Sequence, residues 1–93
     1  MKNISDLVYQ QLHLQLDHDC SIAGQIANHI RWLIVSKQIN PDDKLPPIRE
    51  MADHLNVNFH TIRAAYKRLE DNNLKQTRRG LGSIVIKHQI SDT

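Results

Sequence analysis

Ninety-three residues make one domain near the lower end of the size that folds unaided, with room for a modest core and none for a large enclosed catalytic cavity. The net charge of +2 hides an uneven spread: residues 1–58 hold five Lys/Arg against seven Asp/Glu, and residues 59–93 hold seven against three. A single cysteine, Cys20, excludes a disulfide within the chain, and no apolar run nears the ~20 residues of a membrane span.

Ser5, Asp6, Gln10 and Gln11 break the basic-then-apolar pattern of a secretory signal, so a cytoplasmic protein in a reducing compartment is expected. In the first twelve residues Ile4, Leu7, Val8 and Leu12 share a helical face, with Ser5 available as a cap. Leu12, Leu14 and Leu16 alternate with His13 and Gln15, the period of a short strand. Asp17, His18, Asp19 and Cys20 then form a polar break. With His13 they make a metal-capable group without a known ligand spacing, so no metal or other cofactor is expected.

Ser21 can cap a second helix that runs to about Lys37 and turns Ile22, Ile26, Ile30, Leu33 and Ile34 inward. Trp32 lies off that face, where it packs against the N-terminal segment or meets a second subunit. Residues 39–47 read as turn chemistry, since Pro41 fixes its own φ and Pro46-Pro47 cannot continue a helix. A third helix follows from about Pro47 to Leu55, with Ile48, Met51, Ala52 and Leu55 inward and Arg49 outward.

Asn58 is a favoured N-cap for a fourth helix, flanked by a Val57–Ile62 staple. Ile62, Ala65, Tyr66 and Leu69 recur at i, i+3, i+4 and i+7, so the opposite side is His60, Arg63, Ala64 and Lys67, a polar strip free of acid. Glu70 and Asp71 fall in its last turn, where the helix dipole disfavours them. Leu74–Thr77 and Ser83–Lys87 are strand-like runs joined by Arg78-Arg79-Gly80-Leu81-Gly82, a hairpin with a basic tip. Arg68 and Lys75 read as simple surface charges. The fold expected is mainly α with a small β-hairpin (α+β), a winged helix-turn-helix over residues 21–88. An extension of helix and strand precedes it in residues 1–20, and a polar tail follows in residues 89–93.

Three stretches carry a resemblance: SIAGQIANHIRWLI, KLPPIREMADHLNV, and NFHTIRAAYKRLEDNNLKQTRRGLGSIV. Together they resemble the N-terminal DNA-binding domain of GntR-type bacterial transcription regulators, closest to the YtrA-like branch. That resemblance implies a recognition helix over 58–73 in the major groove and a wing over 75–87 near the minor groove. It also implies DNA contacts from Arg49, Asn58, Phe59, His60, Thr61 and Arg63, and from Arg79 and Gly80 at the wing tip. Lys37, Asp42 and Asn73 stand where relatives often carry glycine, and Pro47 where a serine cap is common. Lys37 is therefore expected to end the second helix differently. Phe59 replaces a frequently polar residue, and its edge suits a thymine methyl. The family's C-terminal effector or dimerising part has no counterpart in residues 1–93.

The physical reading agrees. Amide groups of Phe59, His60 and Thr61 at a helix start are expected to be unpaired within the helix and to favour a phosphate, and the fork of Arg63 matches guanine O6 and N7. Lys67, Arg78 and Arg79 suit phosphates. The expected partner is double-stranded DNA bearing a palindromic operator, bound by a homodimer, with no membrane contact, no enzymatic activity and no effector legible. Two other classes stay open: a winged-helix protein-interaction module, and the DNA-binding portion of a longer effector-responsive regulator.

Overall fold

The computed structural model describes residues 4–10 and 21–86. The expected strand at 12–16, the metal-capable group at 13–20 and the tail beyond 88 lie outside the described residues. The elements are α1 (Ile4–Gln10), α2 (Ile22–Val35), α3 (Ile48–Leu55), α4 (Phe59–Asp71), β1 (Lys75–Arg78) and β2 (Gly82–Val85). Ser5 is the second residue of α1 and not its cap.

Helix α2 starts where Ser21 Oγ accepts the Gly24 amide at 3.0 Å. It ends at Val35, two residues before Lys37. Its inward stripe gains Gly24 and Ala27, while Ile22 is only half-buried. The end is a Schellman closure: the Lys37 amide donates to the Ile34 carbonyl and the Gln38 amide to the Leu33 carbonyl, at 3.1 and 2.9 Å. Lys37 takes the left-handed φ of 67° that this motif needs, so the helix stops in the glycine fashion without a glycine. Asp42 and Asn73 are likewise left-handed, at φ 76° and 61°. Helix α3 begins behind Pro47 with no side-chain cap, as the missing serine implied, and closes on Asn56 in the left-handed region. Ile48 and Leu55, expected inward, are half-buried because α3 lies at the rim of the core.

The core gathers Val8 of α1, Ile26, Ile30 and Leu33 of α2, Met51 of α3, Ile62, Ala65, Tyr66 and Leu69 of α4, and Leu74 and Val85 around the hairpin. Tyr66 is buried with its hydroxyl donating to the Pro46 carbonyl at 2.6 Å, which ties α4 to the segment ahead of α3. Burial drives its pKa far above the ordinary phenol value. Helix α1 is held from two sides. His29 Nε2 meets the Val8 carbonyl at 2.9 Å, and the Tyr9 ring stacks on His54 with centroids 3.7 Å apart. Burial, followed by the charge of Glu50 and a 3.4 Å hydrogen bond to it, pushes the Tyr9 phenol up to about 12. Trp32 is 49% exposed, its nearest ring partner being His29 with centroids 6.4 Å apart.

Strands β1 and β2 pair antiparallel, Lys75 opposite Val85 and Arg78 opposite Gly82. The segment read as turn also pairs with β2: Asp42 and Leu45 donate to the Val85 and Ser83 carbonyls at 2.7 and 2.9 Å, and Val85 returns a bond to Asp43 at 2.9 Å. Both edges of β2 are thus occupied. The prolines on either side of 42–45 hid that pairing, because a stretch this short shows no alternation of its own.

Candidate nucleic-acid interface

Only Asn56, Val57 and Asn58 separate α3 from α4. Asn58 caps α4, its Oδ1 accepting the His60 amide at 2.8 Å, and the Thr61 amide donates to the Asn58 carbonyl at 2.9 Å. This corrects the expectation of three unpaired amides: His60 and Thr61 are satisfied locally, and Phe59 alone of the three makes no bond to a described residue. The cap competes with any anion for the same donors.

Burying Ile62, Ala65, Tyr66 and Leu69 fixes the rotation of α4, so His60, Arg63, Ala64 and Lys67 all stand exposed on its far side. Arg63 and Lys67 line one groove with Ile48 at the start of α3 and with Lys75 and Thr77 of β1. Arg49 and Phe59 line the adjoining groove with Ala52, Asp53 and Val57. Thr61 is half-buried. Lys67 reaches Asp71 one turn on at 3.5 Å, an exposed pair of little energetic weight that a phosphate can displace. Arg63, Arg49 and Arg79 form no ion pair with a described residue.

At the hairpin tip Arg78 and Arg79 are exposed, with Arg78 Nε donating to Gln76 Oε1 at 3.1 Å. Gly80 has φ +81° with open space beside it, so the conformation and not crowding demands glycine.

Lys75 overturns its reading as a surface charge. It is 3% exposed, and its Nζ donates to Glu70 Oε1 at 3.0 Å and to Thr77 Oγ1 at 2.9 Å, above the Tyr66 ring at 5.5 Å. Thr77 also donates to Glu70 Oε1 at 3.0 Å. The Lys75 and Thr77 hydrogen bonds hold the Glu70 carboxyl below its usual range. Glu70, expected to do nothing for the end of α4, therefore links that helix to the wing. No local pattern marks this link, because strand alternation does not say which side of β1 meets α4.

A short link between α3 and α4, a polar outer strip on α4 and a two-stranded hairpin behind it define a winged helix-turn-helix domain. Residues 22–85 match the model of the bacterial regulatory proteins, gntR family, and the chain belongs to that family. It is 43% identical over 61 residues to the uncharacterized HTH-type transcriptional regulator YhcF of Bacillus subtilis, covering 66% of this chain and 50% of that one. Its fold is similar to YtrA from Sulfolobus acidocaldarius, a GntR-family transcription factor, with a TM-score of 0.79 and 33% identity over 84% of this chain and 82% of the other. It is also similar to the AraR DNA-binding domain solved in complex with operator ORX1, with a TM-score of 0.66 and 28% identity over 80% and 95% of the two chains. The chain thus spans half the length of YhcF.

Proposed function

We propose that this chain is a cytoplasmic, sequence-specific DNA-binding transcription regulator that represses, pairing as a homodimer on a roughly palindromic operator. Helix α4 enters the major groove and the β1–β2 wing lies near the minor groove. The observation that carries this reading is the common exposure of His60, Arg63 and Lys67 along α4, with Arg63 and Lys67 in a groove walled by the wing strand β1. The basic wing tip at Arg78 and Arg79 adds phosphate contacts, and Asn58 and Thr61 set the approach of the helix start. The AraR DNA-binding domain, similar in fold, was solved in complex with an operator, which supports DNA as the partner. A single winged helix covers one half-site, and twofold pairing brings a small domain to useful affinity. The reading holds equally for a chain that acts alone and for the DNA-binding portion of a longer regulator.

Titrating duplex binding against salt tests it. Affinity falls steeply, with a log–log slope of about −0.9 per phosphate contacted. Absent or salt-insensitive binding identifies a winged-helix protein-interaction module instead. Sedimentation of the loaded duplex reads the pairing, with two chains per duplex expected.

A further inference from the structure

The head of α4 holds an arrangement that charge alone does not explain. Phe59, the first residue of the helix, leaves 36% of its surface in water. The Arg49 guanidinium carbon sits 5.9 Å from the Phe59 ring centroid, and the His60 ring meets it edge-on at 5.5 Å and 78°. Arg49 belongs to the first turn of α3 and Phe59 to the first turn of α4, so the ring bridges the two helices across their link.

We propose that Phe59 is a specificity-determining residue that reads the 5-methyl group of a thymine in the major groove and positions Arg49 against the same base step. The proposal rests on the DNA-binding reading above and adds the feature that is recognised. A phenyl ring has no donor or acceptor, and of the groups a base pair shows in the major groove only the thymine methyl is apolar. Its position at the first residue of the recognition helix is where such helices meet base edges. The guanidinium is weakly hydrated and planar, so it rests on the ring face while its donors stay free. Held there before binding, Arg49 loses less side-chain freedom when DNA arrives.

The test uses the whole chain and a duplex selected by it from a random pool, with each thymine replaced singly by deoxyuridine so that only the methyl is lost. Wild type is expected to lose about fourfold in affinity at one thymine per half-site, the worth of one buried methyl. Phe59→Ala is expected to bind more weakly and to ignore that replacement, while Phe59→Leu keeps part of the sensitivity. Arg49→Ala is expected to cost less in the Phe59→Ala background than in wild type. Equal tolerance of uracil at every thymine by wild type overturns the proposal, as does methyl sensitivity that survives in Phe59→Ala. Failure to enrich any duplex at all overturns the DNA-binding reading itself, and is a separate outcome.

Discussion

Lys37 and Asn73 occupy the same backbone station, the residue after the cap of α2 and of α4, at φ 67° and 61°. Their chemistry differs. A left-handed L-residue crowds its Cβ against the following carbonyl, while asparagine relieves part of that by local hydrogen bonding. Lys37→Gly is therefore expected to raise stability by about 0.5–1 kcal/mol, after allowing for the greater freedom of glycine in the unfolded chain. Asn73→Gly is expected to change it little. Urea midpoints at unchanged m-value check both; a gain at Asn73 equal to that at Lys37 would contradict the argument.

An isolated two-stranded hairpin is marginal in water, yet here the wing must keep a fixed angle to α4. Three supports supply it: the 42–45 segment pairing along β2, the burial of Leu74, Ile84 and Val85, and the contact of Lys75 and Thr77 with Glu70. The last is sensitive to pH. The Glu70 pKa is lowered in the folded state, so its contribution is present above the ordinary carboxyl value of 4.5 and is lost as pH falls through the folded pKa. Wild type is expected to lose stability in that acid window, and Glu70→Gln, which cannot titrate, to lose less. Protection factors of the β1 amides, with exchange normalised for its intrinsic fall in acid, read the same event locally, and wild type is expected to lose protection as pH falls through that window.

Across the whole molecule the exposed cations divide by position. Arg63 stands mid-helix on the outer strip of α4, and Arg79 stands at the hairpin tip beside a left-handed glycine. Arg79→Ala is expected to weaken binding to all duplexes alike and to flatten the salt slope by about one phosphate's worth. Arg63→Ala is expected to relax preference at one base pair, costing on the order of 1–3 kcal/mol at that pair and little elsewhere. Competition binding on single-substitution duplexes separates the two. An unchanged preferred site in Arg63→Ala would remove that residue from base reading.

Local order determined most of the elements by itself. Ser21 and Asn58 mark helix starts because a side-chain oxygen beside a free amide acts within three residues, and the stripe from Ile62 to Leu69 fixes which side of α4 is outward. The hairpin follows from glycines that only a turn requires. Tertiary structure decided what depends on partners distant in sequence. Asp42–Leu45 pairs with the wing only because β2 lies beside it. Lys75 is buried only because Glu70 and Tyr66 stand where α4 brings them. The left-handed turn at Lys37 is imposed by the closure of α2 over the core, against the preference of the residue itself. A lysine's solvation and a strand's pairing are properties of the neighbourhood, and that neighbourhood exists only once the helices have packed.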